Sequence, residues 1–397
     1  MAPPPSHARF PLFDSLRGLA AISILVVHAA LFTVFISGPN EAWWARLVAH
    51  LDIGVAFFFL LSAFLLYRPF VAARVAGAKR PELAGYAKRR FLRIAPAYWA
   101  VLTISAIVPG MFGAFTDNWW AYYGLLQNYP LYTPEGACAV DVYRCAIPTA
   151  WSLSVEVFFY ALLPFYALLM AWIGGRWGRR WLAAELTVAA VLGAVSFSIQ
   201  GQIPSGDLEQ VAFYSPIGRG WWFALGLALA AFSVWVGERP RKPDAVRWIE
   251  DHSWVPVAAA ALLYAWLAFF VVAPFPSAGF PFGEVSEYLT EYATFGVIAL
   301  LILLPATFGG DGPGRFRAFL RHPIPTWLGL ISYGIFLWQF PVLIALGDLD
   351  VYDWVPGLRF PTVAIATFLV TVVCAAISFY ALERPLMRWG RRRREVA

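Results

Sequence analysis

The sequence predicts an all-α membrane protein, a bundle of about ten transmembrane helices with both termini cytoplasmic, and three observations carry that reading. Sixty per cent of the 397 residues are apolar, 14 per cent are charged, and the mean hydropathy is +0.64. A soluble core of this length has no use for so much apolar side chain, so the bilayer is the expected solvent. The apolar residues gather into runs close to the roughly 20 that a spanning helix needs, near 16–36, 53–71, 95–110, 152–173, 181–199, 219–237, 255–273, 290–308, 326–346 and 360–382. The third run is short and the fifth weak. The 30 Lys and Arg residues then orient the bundle, because short cytoplasmic loops collect them. With the N-terminus inside, only Arg46, Arg144, Arg219 and Arg359 reach outer loops or their edges.

The first run is long, holds Arg17 and His28, and lacks a small-residue cleavage site, so it is expected to stay as a helix and not be removed as a signal peptide. Arg17 and His28 stand eleven residues apart, about 1100° of helix, within some 20° of three full turns. They therefore share a face, separated by roughly 16 Å along the axis. Asp14, three residues before Arg17, lies on that face and can pair with it. Near the interface Arg17 can simply snorkel. His28 is harder to explain as scaffold, because a neutral imidazole at bilayer depth needs hydrogen-bond partners and is well poised for proton transfer.

After the second run comes a basic cytoplasmic collar, Lys79, Arg80, Lys88, Arg89, Arg90 and Arg93, leading into the third. Such clusters commonly anchor lipid headgroups, and guanidinium forks equally suit the phosphates of a nucleotide-bearing donor. The outer loop 111–150 interleaves amides with aromatics, Asn118-Trp119-Trp120 and Gln127-Asn128-Tyr129, which suits an interface belt or a lining for a polar ligand. Cys138 and Cys145 fall on this loop, where an oxidising compartment permits a bridge, whereas Cys374 reads as a packing residue.

The fourth run begins Trp151-Ser152-Leu153-Ser154-Val155-Glu156 and places Ser152, Glu156 and Tyr160 on one face. A carboxylate entering the bilayer must be protonated or paired, and a histidine on a neighbouring helix is one natural partner. A structural helix-to-helix bond is the other reading. Gly309-Gly310-Asp311-Gly312-Pro313-Gly314 lacks the Gly-Lys-Ser/Thr ending of a phosphate loop and is expected to be a turn. No fused soluble domain is expected, and residues 384–397 form a basic cytoplasmic tail whose Arg391–Arg394 run suits anionic lipid. The net charge of +6 follows from orientation and not from nucleic-acid binding, and no metal-ligand spacing is visible.

Taken together, these segments resemble the acyltransferase-3 family of integral membrane O-acyltransferases, almost end to end. Phe13-Asp14-Ser15-Leu16-Arg17-Gly18-Leu19-Ala20 with His28 is similar to the family's arginine-ten-residues-histidine signature. Gly54 to Phe64, Arg89 to Trp99, Trp151 to Tyr160, Ser332 to Trp338, and Glu383-Arg384-Pro385 are similar to its later motifs, in order. Two departures stand out. Ala63 occupies a usual glycine, and Gln339 stands where many members place a histidine, so no proton role is expected on the ninth helix.

The resemblance implies transfer of an acyl group, often acetyl, from cytoplasmic acyl-CoA to a hydroxyl of a sugar, glycolipid, polysaccharide precursor or macrolide, in a bacterial plasma membrane. Acyl-CoA would be a co-substrate, with no cofactor bound permanently. In that reading His28 is the general base, Arg17, Asp14 and Glu156 assist it, Lys88, Arg89, Arg90 and Arg93 hold the donor, and Ser152, Tyr160 and Asn128 face the acceptor. An acyl-histidine intermediate is the variant chemistry. The rival class is a proton-coupled transporter or flippase with His28 and Glu156 as a relay, although no inverted repeat supports it. A structural scaffold, the third reading, expects His28→Ala to cost little.

Overall fold

The computed structural model describes residues 10, 12–33, 35, 43–129, 144–202, 214–271, 285–309 and 312–392. Cys138, Asp141, Asp207, Glu209, Glu284, Gly310, Asp311, Arg393 and Arg394 lie outside them. Among the described residues every regular element is helical. The helices are α1 (Leu12–Phe32), α2 (Trp43–Ala49), α3 (Gly54–Val75), α4 (Leu83–Ile107), α5 (Trp119–Tyr123), α6 (Ala150–Trp177), α7 (Trp181–Gln200) and α8 (Gly220–Gly237). They continue as α9 (Asp244–Asp251), α10 (Trp254–Trp266), α11 (Val285–Thr307), α12 (Arg315–Arg321), α13 (Pro323–Leu330), α14 (Ser332–Asp348), α15 (Arg359–Ser378) and α16 (Arg384–Arg392). Every one of the ten apolar runs carries a helix in this series. Seven stretches are long and apolar enough to cross a membrane, or eight if α13 and α14 make one broken span. One of the seven, Ala150–Gln200, extends over 51 residues, more than twice the roughly 20 that a crossing requires. The chain is thus a multi-pass membrane protein.

Two compact units divide the chain: Met1–Ala20, Ile53–Pro81 and Phe158–Leu330 in the first, Ala21–Asp52, Glu82–Val157 and Ile331–Ala397 in the second. In the first unit, α3 and α8 meet closely. A Cβ on Gly226 would fall 2.7 Å from the Cβ of Ala63 and against the Leu60 carbonyl. The glycine missing at position 63 is therefore supplied by the facing helix. Gly18 of α1 likewise approaches Gly329 of α13, where a Cβ would come within 2.8 Å of the Gly329 nitrogen, and the Ser15 hydroxyl donates to the Leu320 carbonyl at 2.5 Å. Without a hydrophobic drive between helices in lipid, such small-residue contacts let dispersion act at short range.

Among the described residues the first unit buries three charged side chains, Glu185, Arg219 and Arg317. Glu185 is 1% exposed and accepts from the Tyr67 hydroxyl at 2.8 and 2.9 Å, while the Arg74 guanidinium forms an ion pair with it. Arg317, fully buried, donates to the carbonyls of Pro305, Phe308, Glu250 and Pro313 at 2.8 to 3.2 Å. This clamp ties the glycine-rich turn, in which Gly309 and Gly314 take φ of +71° and +133°.

In the second unit, α14 packs on α15 through Gly334, whose Cβ would meet Ala375 at 2.9 Å. Phe112 pairs with the segment before α6, its N–H donating to Arg144 O at 2.7 Å and its carbonyl accepting from Ala146 N at 2.6 Å. Cys145, within that pairing, is disulfide-bonded, and Cys374 is free. Arg144 forms an ion pair with Asp348 at the end of α14. The residues from 384, expected as a tail, form helix α16 through Arg392 after a π-helical turn at Phe379–Glu383, and α16 lies against α4.

Candidate functional site

His28 lies on α1, which runs unbroken from Leu12 to Phe32, so the helical arithmetic linking Asp14, Arg17 and His28 holds. Arg17 Nη1 donates to Asp14 Oδ1 at 2.6 Å, an i,i+3 pair in the first unit. That pair leaves the guanidinium only partly exposed.

The His28 ring belongs to the second unit and meets α14 there. Its Nδ1 is 3.4 Å from Gln339 Oε1. The ring also stands edge-on to Phe340, with centroids 5.6 Å apart and planes at 78°. Phe340 is itself held by Phe32, at 5.1 Å and 83°, and packs with Met111 and Ile344. Gln339 is wholly buried, and its Nε2 donates to Phe336 O at 3.2 Å. The partner of the imidazole is therefore an amide on α14 and not Glu156. Sequence reasoning set position 339 aside because glutamine carries no proton, and missed that an amide can still hold one in place.

Glu156 is drawn into a second cluster of the same unit. It acts electrostatically on Tyr86 and Tyr333, together with Arg90 and Arg89 at Tyr86 and with Glu383 and Arg93 at Tyr333. The Tyr333 hydroxyl donates to Ile94 O at 2.9 Å, fixing α14 to the turn of α4 that follows Arg93. Burial pushes the Tyr86 hydroxyl above its ordinary range, opposed by Arg90 and reinforced by Glu156, so it stays protonated and available as a donor. Glu383, at the end of the π-helical turn, is 3% exposed, accepts from the Ser378 hydroxyl at 3.5 Å and lies within electrostatic range of Arg93. Single π-turns inside helices gather at functional sites, and this one lies against α4 with its carboxylate in electrostatic range of Arg93.

The basic run splits by helical face. Arg90 and Arg93 are half-buried beside Tyr86 and Ile94, whereas Lys88 and Arg89 are exposed. Lys88 Nζ lies 5.3 Å over the Trp389 ring. The three acceptor candidates are less available than expected. Asn128 Nδ2 donates to Trp151 O at 2.7 Å, and Ser152 Oγ donates to Thr149 O at 3.2 Å, so both tie down the start of α6. Tyr160 belongs to the first unit, its hydroxyl 3.4 Å from Ser62 Oγ.

A helical multi-pass membrane protein with a half-buried histidine in its first span and guanidinium groups gathered on α4 defines the class. The chain belongs to the acyltransferase-3 family of integral membrane O-acyltransferases, whose acyltransferase domain matches residues 11–379. It is similar to a peptidoglycan O-acetyltransferase of Listeria monocytogenes, 24% identical over 97% of this chain and 57% of that protein. An O-acetyltransferase of Staphylococcus aureus is 23% identical over 96% of this chain and 57% of its own length. An acyltransferase of Streptomyces mycarofaciens is 24% identical over 99% of this chain and 96% of its own length. This chain thus spans little more than half of the first two relatives and nearly all of the third. No solved structure matches it.

Proposed function

We propose that this protein is a membrane O-acyltransferase that moves an acyl group, acetyl in the first instance, from cytoplasmic acyl-CoA to a hydroxyl of a carbohydrate, glycolipid or secondary-metabolite acceptor. One observation carries the reading. His28 has Nδ1 engaged by Gln339, while its Nε2 has no partner among the described residues and is not among the buried unsatisfied atoms. A histidine held at one nitrogen and open at the other is arranged for general-base work.

In this reading ten helices cross the membrane, both termini are cytoplasmic, and the membrane is the bacterial plasma membrane. The donor phosphates dock on Arg90 and Arg93, the two guanidinium groups on the inner face of α4, with Lys88 and Arg89 as outlying charges. Their bidentate forks recognise phosphate oxygens better than a lysine does. Nε2 of His28 takes the acceptor's hydroxyl proton as its oxygen attacks the thioester carbonyl. The C–S bond breaks, an ester C–O bond forms, and the proton passes from the imidazolium to the departing CoA thiolate. Arg17, ion-paired with Asp14 on the same face of α1, is the only arginine or lysine of that helix.

The relatives from Listeria and Staphylococcus are named O-acetyltransferases, the former of peptidoglycan. That name makes a surface glycan the first acceptor to try. The test gives the full-length protein in detergent labelled acetyl-CoA and a panel of glycan fragments and polyols. His28→Ala is expected to lower transfer by about 10²–10⁴-fold, the usual worth of a general base. Unchanged transfer in that variant, or failure of the unaltered protein to bind any acyl-CoA, would overturn the reading.

A further inference from the structure

An imidazole acts as a base only through the nitrogen that lacks a hydrogen, so a catalytic histidine needs something to choose its tautomer. The obvious device is a carboxylate on Nδ1. Here Glu156 makes no hydrogen bond to His28, and the group at Nδ1 is neutral.

Gln339 nonetheless makes the choice, because its own orientation is fixed. The side chain is wholly buried, and its amide nitrogen donates to the Phe336 carbonyl one turn back on α14. Turning the amide over would set its oxygen against that carbonyl, acceptor against acceptor, in a place without water. With the nitrogen committed, Oε1 is left facing His28 Nδ1 at 3.4 Å, and an oxygen there calls for an N–H. The imidazole cannot answer by turning over either. A half-turn of the ring would swap Nδ1 for a carbon and lose the bond, and Phe340, backed by Phe32, stands edge-on against the ring.

We propose that Gln339 is the positioning residue of His28: its side-chain oxygen holds the Nδ1–H tautomer and presents Nε2 as the proton acceptor. The proposal rests on His28 being the base, as argued above, and adds what makes it one. The bond is long while the ring is neutral. When Nε2 takes a proton, Nδ1–H becomes a cationic donor and the same bond becomes charge-assisted, so it strengthens as the transfer proceeds. A glutamine cannot take the proton away in turn, which leaves the imidazolium free to return it to the CoA sulfur.

The experiment uses full-length protein in nanodiscs with ¹⁵N-labelled histidine, recorded where the imidazoles are neutral, the His28→Ala sample identifying the His28 signals. The expected spectrum has a protonated Nδ1 and an unprotonated Nε2. Gln339→Leu is expected to shift the ring towards the Nε2–H tautomer and to lower kcat by about 10-fold or more with KM for both substrates within about twofold. Gln339→Glu, which keeps an acceptor oxygen in place, is expected to restore the Nδ1–H signal and most of kcat. An Nε2–H tautomer in the unaltered protein would overturn the proposal, and so would Gln339→Leu with the original spectrum and kcat. Whether His28 serves in the transfer at all is read separately, from the loss of transfer in His28→Ala, so failure of the tautomer proposal and failure of that assignment are told apart. The spectrum of the unaltered protein also decides the matter if Gln339→Leu does not fold.

Discussion

Two polar groups within apolar helices, buried Glu185 in the first unit and half-buried His28 in the second, are supported in opposite ways. Glu185 is saturated: the Tyr67 hydroxyl reaches both its oxygens, and Arg74 neutralises it while stacking on Trp181 at 5.6 Å. His28 has a single hydrogen bond, of 3.4 Å, and one ring nitrogen left over. A carboxylate away from water is tolerated when each lone pair and its charge are answered, and it is then inert. A group that must exchange protons is under-supported by design. In the proposed reading, incomplete satisfaction, more than burial, separates His28 from Glu185.

The comparison would break first at His28. Its replacement by alanine is expected to remove the activity by the factor given above, while costing no more than about 1 kcal/mol of stability, the worth of one neutral hydrogen bond. A thermal midpoint in detergent checks this, and a large drop would put His28 in the same class as Glu185. Glu185→Leu should behave conversely. It leaves Arg74 without its carboxylate and should destabilise the first unit by about 3–5 kcal/mol, with turnover per folded molecule unchanged. Glu185→Leu combined with Arg74→Met should recover much of that loss, because the uncompensated charge goes too.

The next largest effect tests the split along α4. Arg90→Gln and Arg93→Gln should each raise KM for acyl-CoA by roughly 10-fold, a charge-assisted hydrogen bond being worth about 1.5–3 kcal/mol, with kcat little changed. Lys88→Gln and Arg89→Gln, on the exposed face, should change KM by less than about threefold at moderate salt, since exposed charges contribute about 0–1 kcal/mol. Equal effects at all four positions would replace the inner-face site with a diffuse basic field. Smallest of all, Gly226→Ala should force α3 and α8 apart and cost about 1–2 kcal/mol, within the usual range for overpacking. It should leave both KM values alone.

Much of this was legible along the chain. Hydropathy marks helices because a backbone in lipid must satisfy itself internally, so each apolar run carries one. The Asp14–Arg17 pair and the shared face with His28 follow from helical period alone, and the positive φ of Gly309 and Gly314 is what their glycines allow. Period also allowed Ser152, Glu156 and Tyr160 a common face. It could not say what that face meets: Ser152 is spent on its own helix end, and Tyr160 on Ser62.

What the sequence determined by itself was the family and the helical architecture, because each rests on local chemistry or ordered motifs. Tertiary structure alone decided the partners. Gln339 stands 311 positions from His28, and no periodicity relates them. Glu383 comes within electrostatic range of Arg93, 290 positions away, because the π-helical turn at the end of α15 packs against α4. The glycine that the α3–α8 contact needs is on α8, opposite an alanine that looked like a departure. Partnership depends on how separate helices come to face one another, and that is fixed by packing across the fold and not by spacing along one helix.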